Sequence, residues 1–435
     1  MSLKHQAPRG TRDLLPAETS RWQWAEQRSR EVCERYGYGE IRTPIFEEYE
    51  LFARTSGESS DVVQKEMYRF QDLKGRDLAL RPEGTASVAR AFLEHGLMGS
   101  GRIHRLWYAG PMFRYGRPQK GRFRQFHQIG AEVIGTIAPG ADVEIIALFV
   151  DIFEAWGFTR LNVAVNSVGT PESRLAYGER LRAWLTPVLK DLSGDSQARF
   201  VRNPLRVLDT KDKGDLKLLE KLKAGGSPMP RMLDVLDDDS RAHWEAVNRG
   251  LDAAGIRHVV DHGLVRGLDY YTRTAFEVHD KSLGAQSTLG GGGRYDGLIE
   301  ALGGPSTPGV GFSIGLDRVL LLLEERGAAA EAARGTVYVA AMDGTRREAL
   351  ALVRELRREF RVDCDLEARG MGAQMKAADK SGAALVVLLG EEEWKRGEIV
   401  IKDLASGQQS TATRGALAEH LRSRLPLTEA GVRVR

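Results

Sequence analysis

A basic stretch without acidic residues is the part of the chain that points most directly to chemistry. Positions 99 to 131 contain no Asp or Glu but seven Lys or Arg, and the acid-free run ends at Glu132. Its centre reads FRYGRPQKGRFRQFHQIGAEVIG, where a Gly- and Pro-rich tip at residues 116–121 separates two strand-like arms. A solvated basic hairpin is the ordinary interpretation of such a charge run. The single acid on the arginine face favours a hairpin that binds a polyanion.

The return arm of the hairpin gives the expected geometry. Strand side chains alternate between two faces, and five residues share one of them: Arg124, Phe126, Gln128, Gly130 and Glu132. Gln128 and Glu132 lie roughly 13 Å apart along this face, at about 3.3 Å per residue. The face suits phosphates at the tip and a small polar molecule at the base. His127 points to the opposite face and is predicted to be a packed histidine.

Two other segments place polar residues at the ends of strands. In LRPEGTAS, residues 80–87, Glu83 could bind an ammonium group or simply cap the following helix, for which Thr85 is a candidate N-cap. In LVRGLDYYTRTAFEVHD, residues 264–280, Arg266, Tyr270 and Tyr271 gather beside a glycine. Polar aromatic residues and a guanidinium fit a small-molecule pocket better than a core.

Glycine-rich runs at 290–293 and 309–315 resemble phosphate loops, but neither matches the Walker pattern or GxGxxG, so a dinucleotide-binding site is weakly supported. Glycines on strands can also let a flat ring lie against the backbone, as adenine requires. Arg318, just inside the following helix, could then meet a phosphate or stack on the base. A surface position on an amphipathic helix is the alternative.

Composition excludes several classes of protein. The chain has 435 residues, of which 42% are hydrophobic and 28% charged, which allows two or three domains with a large core. The net charge is only +3, so any affinity for nucleic acid must come from local patches. Cys33 and Cys364 are the only cysteines, which argues against a disulfide framework or a cysteine metal site and favours a reducing, cytoplasmic location. No stretch approaches the length of a membrane span, and the N-terminus has no apolar targeting region.

The order of elements predicts an α+β domain with an antiparallel sheet over residues 1–326. Helices are expected at 19–36, from about 85, and at 142–156, with strand-like segments at EIRTPIFEEYEL, DLAL and the hairpin. Residues 170–257 read as an inserted helical domain without a catalytic constellation. Strand signals resume at 263–279 and end in a Gly-rich strand followed by an apolar helix.

A linker is predicted at 327–335, followed by a small α/β domain at 336–425. There VYVAAMD, RVDCDLE and ALVVLLG alternate with helices at 346–360 and near 372–380. This alternation is typical of a largely parallel sheet.

Together these segments resemble class II aminoacyl-tRNA synthetases, and among them the histidyl-tRNA synthetase family. The helix and strand that end at Pro44 in EIRTPIFEE are similar to motif 1. FRYGRPQKGRFRQFHQIGAEV is similar to motif 2 and GVGFSIGLDRVLLLL to motif 3. RGLDYYT and GGGRYDGL are the segments specific to the histidine enzymes, and LRPEGTA and RGTRDLLP support them. The resemblance spans essentially the whole chain. It implies ATP-dependent ligation of L-histidine to its tRNA through a histidinyl-adenylate, a C-terminal anticodon-binding domain and a homodimer built around motif 1.

The resemblance also implies roles for individual residues. Arg266 and Arg114 would be catalytic, Arg114 and Arg318 would hold ATP phosphates, and Mg²⁺ would neutralise the departing pyrophosphate. Arg117 and Gln119 would meet the acceptor end of the tRNA, and no protein ligand for a metal is assigned. The residues implied for histidine binding are Glu83, Gly84, Thr85, Gln128, Glu132, Arg266, Tyr270 and Tyr271. Gly116 departs from the family pattern, which has Glu at this position to contact the adenine amino group.

Two alternatives come from other classes of protein. One is a non-catalytic paralogue that senses histidine as the regulatory subunit of a phosphoribosyltransferase. Such paralogues typically lose the anticodon-binding domain, which this chain keeps along with the arginines at 114, 266 and 318. The other is a plain RNA-binding module, which would not need a pocket around Glu132 and Tyr271.

Overall fold

A computed structural model describes residues 5–56, 60, 62–101, 103–159, 161–224, 228–268, 270–280, 288–326 and 336–425. The chain divides into two compact units, Met1–Ala328 and Ala329–Arg435. The predicted linker at 327–335 lies outside the described residues.

The first unit contains eleven described strands and ten described α-helices. The strands are β1 Gly39–Glu40, β2 Phe46–Glu48, β3 Arg69–Gln71, β4 Asp77–Leu80, β5 His104–Phe113, β6 Gln125–Ile134, β7 Val163–Ser167, β8 His258–Val260, β9 Thr272–His279, β10 Thr288–Arg294 and β11 Gly309–Gly315. The helices are α1 Pro16–Arg35, α2 Tyr49–Ser56, α3 Thr85–Glu94, α4 Pro139–Ala155, α5 Pro171–Leu185, α6 Gly194–Arg202, α7 Lys213–Ala224, α8 Asp238–Ala253, α9 Leu298–Ala301 and α10 Leu316–Glu325.

An eight-stranded mixed sheet organises this unit, in the order β1-β5-β6-β11-β10-β9-β7-β8. The six inner strands pair antiparallel, as predicted, and each short edge strand pairs parallel with its neighbour. One face of the sheet packs on α4, where the Phe149 ring lies 5.4 Å from that of Phe276 and 5.1 Å from that of Phe312. Because strand side chains alternate, the neighbours of Phe276 and Phe312 point to the opposite face.

Several boundaries differ from the prediction. In the strand-like segment EIRTPIFEEYEL, β1 ends at Glu40 and β2 covers only Phe46–Glu48. Helix α2 begins directly after β2, at Tyr49. Of residues 263–279, only those of β9 form a strand. Helix α4 begins at Pro139, which suits a first helical turn. His127 is packed as predicted, with its ring 4.8 Å from that of Trp22.

Four helices, α5 to α8, form the predicted helical insertion and lie between β7 and β8. They have a core of their own, which includes Tyr177, Leu181, Trp184 and Val207. None of the helices in the described ranges is long and apolar enough to cross a bilayer.

The second unit has a five-stranded sheet in the order β13-β12-β14-β15-β16, with strands β12 Thr336–Ala341, β13 Arg361–Cys364, β14 Leu385–Leu389, β15 Glu398–Asp403 and β16 Gln409–Thr413. Its helices are α11 Arg346–Leu356, α12 Met371–Lys380, α13 Glu391–Lys395 and α14 Leu417–Arg424. The prediction of a largely parallel sheet was wrong for half of it. β12, β13 and β14 are parallel, but β15 and β16 add antiparallel strands, and only the five-residue helix α13 connects β14 to β15.

Candidate active site

A cavity of about 560 Å³ lies in the first unit and brings together most of the residues singled out in the sequence. Eight of them line it: Glu83, Thr85, Arg114, Gln128, Arg266, Tyr270, Tyr271 and Arg318. Gly84, Glu132, Arg117 and Gln119 are not in its wall. The volume is within the range of sites for small molecules and nucleotides.

A row of residues crosses five neighbouring strands of the sheet, and its members on β9, β10 and β11 line the cavity. In register, Tyr108 faces Gly130, Gly130 faces Ser313, Ser313 faces Gly291, and Gly291 faces Glu277. The three central residues of the row are small, so the sheet surface lies low between the larger side chains of Tyr108 and Glu277. The glycine runs lie on strands β10 and β11, which is the position that the interpretation with a flat ring requires.

Positive charge is concentrated at one end of the cavity, where Arg114, Arg122 and Arg318 line the wall. Burial lowers the pKa of Arg318, and the neighbouring charges of Arg122 and Arg114 lower it further. Burial also lowers the pKa of Arg114, although Glu66 and Glu83 oppose this effect. Glu66 accepts a hydrogen bond from Arg122 at 2.6 Å. A polyanion would offset the repulsion that remains among the guanidinium groups.

Arg266 also lines the cavity, and its guanidinium is held by neighbouring side chains. It pairs with Glu277, its Nη2 lies 3.4 Å from the Tyr271 hydroxyl, and its Cζ is 5.1 Å from the centre of the Tyr271 ring. A Cβ atom at Gly291 would lie 2.8 Å from Nη1 of Arg266, so the strand needs glycine there. The guanidinium is thus fixed in orientation before any ligand binds.

Two polar atoms in the wall have no partner within the described part of the chain. They are the Nε donor of Arg266 and the Oε1 acceptor of Gln128, and both are buried. Gln128 uses only its amide nitrogen, which lies 3.4 Å from the Ser313 hydroxyl. Buried polar groups are nearly always paired, so an unpaired donor and an unpaired acceptor in one cavity indicate a ligand with both an anionic and a hydrogen-donating group.

Glu83 both caps a helix and lines the cavity. Its carboxylate accepts hydrogen bonds from the backbone N–H groups of Thr85, at 2.6 Å, and Ala86, at 2.9 Å. The prediction that Thr85 is the N-cap was wrong, because Thr85 is the first residue of α3 and Gly84 precedes it. Burial raises the pKa of the Glu83 carboxyl, and these N–H donors oppose that rise.

Glu132 lies directly behind the wall and binds residues from three other elements. Oε1 accepts from the hydroxyls of Thr85, at 2.8 Å, and Tyr108, at 3.2 Å, and Oε2 accepts from Tyr295 at 2.6 Å. Glu132 is fully buried, and this burial raises its pKa to about 8. Because Thr85 and Tyr295 line the cavity, Glu132 determines how these two hydroxyls face a ligand.

Three glycines leave the space that this cluster needs. A Cβ atom would lie 2.2 Å from the Tyr108 ring at Gly84, 2.3 Å from it at Gly130, and 1.7 Å from the Glu132 carboxylate at Gly311. The lack of a side chain at Gly84 therefore leaves room for the Tyr108 ring at the start of α3.

The two tip residues implied for tRNA binding lie outside the cavity. Arg117 and Gln119 are exposed, and the backbone of Gln119 pairs with that of Arg122 to close the tip. At Gly116 the space that a side chain would enter is next to Arg122, whose Nη2 would be 3.0 Å from an added Cβ.

The insertion also contributes to the cavity, a role that the sequence did not indicate. Four of its residues line the wall: Leu208, Asp209, Thr210 and Lys211. Sequence reasoning also missed Tyr108, Tyr295 and Arg122. Tyr295 lies in the quoted segment GGGRYDGL and Arg122 in the basic run, but Tyr108 could have been found only by matching it to Gly130 across the hairpin.

Among the described residues, no group of three or more His, Cys, Asp or Glu is arranged to hold a metal ion. Mg²⁺ commonly uses only one or two carboxylates together with substrate phosphates. Asp209 and Glu277 line the same cavity, so the residues present fit an ion held mainly by phosphates.

The buried carboxyl of Glu132 predicts a pH-dependent stability. Its pKa is raised from an ordinary value of 4.5 to about 8, so the folded chain keeps a proton that the unfolded chain releases between these values. This contribution to the free energy of unfolding is complete at low pH and falls as pH rises towards 8, by at most about 1.4 kcal/mol per pH unit. Glu132→Gln, which mimics the protonated acid, should reduce that slope in urea unfolding between pH 5 and 8. Identical slopes for the two proteins would contradict the buried, protonated carboxyl.

Comparison with known proteins agrees with this geometry. The family model for histidyl-tRNA synthetase matches residues 10–319, and the anticodon binding domain model matches residues 336–424. The histidine–tRNA ligase from Desulforamulus reducens is 48% identical over 96% of this chain and 99% of its own length. The histidine–tRNA ligase from Thermosynechococcus vestitus is 49% identical over 96% of this chain and 97% of its own length. The crystal structure of apo histidyl-tRNA synthetase from S. aureus is similar at a TM-score of 0.79, with 38% identity over 96% of this chain and 100% of that one. The chain belongs to the histidyl-tRNA synthetase family, whose class II fold it has.

Proposed function

We propose that this protein attaches L-histidine to its cognate tRNA in an ATP-dependent reaction with a histidinyl-adenylate intermediate, releasing pyrophosphate and AMP. One observation carries the proposal: a buried donor on Arg266 and a buried acceptor on Gln128, neither with a partner among the described residues, share a cavity with three guanidinium groups. Such a cavity suits an amino acid beside a polyphosphate. Full-length similarity to histidine–tRNA ligases supports this choice of substrates.

Histidine is proposed to bind between α3 and the loop before β9. Glu83 and Thr85 at the start of α3 receive the α-amino group, while Arg266 receives the carboxylate through its unpaired Nε. Glu83 can accept a charged amine because its carboxylate is already fixed by backbone donors.

The imidazole is proposed to be read by Gln128, Tyr270 and Tyr271 in the wall and by Glu132 behind it. Because the Oε1 acceptor of Gln128 is buried and has no partner among the described residues, an analogue that lacks the imidazole N–H would leave this acceptor unpaired. A site of this type can reject such analogues by roughly ten-thousandfold without a separate editing domain.

ATP is proposed to bind at the positive end, with its phosphates on Arg114 and Arg318. Mg²⁺, when bound with the phosphates, would neutralise the departing pyrophosphate. A guanidinium presents a planar fork of donors to phosphate oxygens, which explains why these positions carry Arg. Without the usual Glu at position 116, a side-chain carboxylate from the motif 2 loop does not reach the adenine amino group.

The chemical step needs no general base, since the carboxylate of histidine is already ionised at neutral pH. The task is to hold it in line with the α-phosphate and to stabilise the charge that develops there. We assign both roles to Arg266 and Arg114, which line the same cavity. The rigid pairing of Arg266 with Glu277 keeps its fork oriented during the reaction.

The tRNA is proposed to contact both units. Arg117 and Gln119, exposed at the hairpin tip, would meet the acceptor end. The domain at 336–425 would bind the anticodon, in keeping with its family model.

We also propose a homodimer formed around motif 1, where the large apolar side chains of Ile45, Phe46 and Phe70 are exposed. A cytoplasmic location is proposed as well, which the two free thiols suit.

Histidine-dependent exchange of pyrophosphate into ATP, without tRNA, tests the proposal and separates it from the regulatory paralogue and the RNA-binding module. We expect the wild-type protein to catalyse this exchange. Arg266→Ala should reduce it by about 100- to 1000-fold, the effect of removing one donor to developing charge. Arg266→Lys should also reduce the rate of exchange, because lysine keeps the positive charge but lacks the Nε donor.

Near-normal exchange by Arg266→Ala would remove Arg266 from the chemistry, and no exchange by folded wild-type protein would reject the enzyme altogether. Arg249→Ala is the matched control, since this exposed arginine on α8 pairs only weakly with Glu245, at 3.6 Å. It should exchange at the wild-type rate.

Arg117→Ala should separate the two half-reactions. Exchange should stay within about twofold of wild type, because Arg117 is outside the cavity, but KM for tRNA in aminoacylation should rise by about tenfold, equivalent to roughly 1.4 kcal/mol. Arg28→Ala, on the exposed face of α1, is the control and should change neither. Lost exchange with normal aminoacylation KM would refute the assignment of the tip to tRNA.

A further inference from the structure

The N-terminal segment RGTRDLLP is not used by the reaction as described, yet it lies against the loop that carries Arg114. Residues 8–11 form a tight turn, in which the N–H and hydroxyl of Thr11 donate to the carbonyl of Pro8 at 2.9 and 2.7 Å. The next contact leaves the segment: the carbonyl of Gly10 accepts a hydrogen bond from the N–H of Arg124 at 2.6 Å.

Arg124 continues this connection to the nucleotide end of the cavity. Its carbonyl accepts a hydrogen bond from the N–H of Arg114 at 2.8 Å. Its guanidinium lies 3.7 Å from the centre of the Tyr115 ring and reaches the Gly116 carbonyl at 3.4 Å. Backbone bonds therefore run from Gly10 to Arg124 and from Arg124 to Arg114, so a shift of Gly10 displaces the residue that aligns Arg114.

The contact at Gly10 is close enough to require glycine. Its φ of +86° lies in the left-handed region, and an added Cβ would be 2.7 Å from Cγ of Arg124 and 3.1 Å from Cγ of Pro118. Any larger residue must therefore strain the turn and push on the side chain of Arg124.

Arg12 supports the same loop from behind. Its Cζ lies 4.9 Å from the centre of the Phe123 ring, and its Nη2 lies 3.9 Å from the carboxylate of Asp317, two residues that line the cavity. Glu18 holds the guanidinium at 2.8 Å. Asp317 also accepts the backbone N–H of His127 at 2.7 Å, which joins α10 to β6.

The opposite side of the loop has its own support. The N–H of Tyr115 donates to the carbonyl of Glu66 at 2.6 Å, and the Glu66 carboxylate binds Arg122. Arg318 contributes a long hydrogen bond of 3.4 Å to the carbonyl of Gly121. The loop is thus held between the segment at 62–66 and the N-terminal turn.

We propose that residues 8–12 form a positioning element for nucleotide binding, which sets the place of Arg114 through Arg124 and of Phe123 and Asp317 through Arg12. The proposal rests on the proposed role of Arg114 in binding ATP. Gly10 and Arg12 are positioning residues, since neither is in the cavity wall. A defect in them should weaken the binding of ATP without changing that of histidine, whose proposed contacts lie on α3, β6 and the loop before β9.

Gly10→Ala tests this with a closely matched control. Gly37 has a φ of +77° and no atom within 4 Å of an added Cβ, so Gly37→Ala introduces the same backbone strain without the contact. In pyrophosphate exchange by the full chain, Gly10→Ala should raise KM for ATP by about tenfold or more, as displacement of a binding group does, with KM for histidine within about twofold. Gly37→Ala should change neither constant.

A second readout follows the loop directly. Trypsin can cut after Lys120, and Gly10→Ala should be cut there several times faster than Gly37→Ala. If Gly10→Ala does not fold, Arg12→Ala, with Arg28→Ala as its control, should show the same selective rise in KM for ATP because it loses its contact with Phe123.

The positioning role is wrong if Gly10→Ala raises both KM values equally, changes only kcat or changes no constant. This conclusion requires that Arg114→Ala raises KM for ATP. If Arg114→Ala leaves that KM unchanged, the nucleotide site itself is wrongly assigned and the positioning proposal falls with it.

Discussion

The presence of three guanidinium groups in one wall, those of Arg114, Arg122 and Arg318, is the constraint on which this cavity depends. Burial alone lowers the pKa of Arg318, and the charges of the other two arginines lower it further. Glu66 pairs with Arg122, but positive charge remains in excess at this end of the wall. In our account the phosphates of ATP supply the missing negative charge, so the free protein keeps an unfavourable arrangement that substrate binding relieves.

The other half of the cavity depends on a buried carboxyl. Glu132 ties the hydroxyls of Thr85, Tyr108 and Tyr295 together, and these come from α3, β5 and the end of β10. Such a cluster is rigid because each polar atom has a partner. It gives the proposed histidine site a fixed shape, whereas the nucleotide end is on a loop that needs support from outside. That difference explains why a remote segment such as residues 8–12 can affect one substrate more than the other.

Much of the site could be predicted from the sequence because it is encoded in short segments. The alternation around Gln128 and the turn at Glu83 are local patterns, and the structure brings both to one cavity. The remainder depends on contacts between distant parts of the chain. Tyr295 lies 163 residues from Glu132, and nothing local shows that their side chains meet. The wall at 208–211 was missed for the same reason, since its residues carry no motif of their own.

The most direct test of this account is the affinity of the full-length protein for AMP and ATP with Mg²⁺, measured by titration calorimetry on wild type and Arg318→Ala. If the arginines are there to bind phosphates, ATP should bind at least about tenfold more tightly than AMP, because charge-assisted hydrogen bonds to the additional phosphates contribute 1.5 kcal/mol or more, in rough terms. This advantage should shrink in Arg318→Ala, while the affinity for AMP stays nearly the same. Equal affinities for AMP and ATP in the wild-type protein, or an advantage that Arg318→Ala leaves intact, would contradict the account.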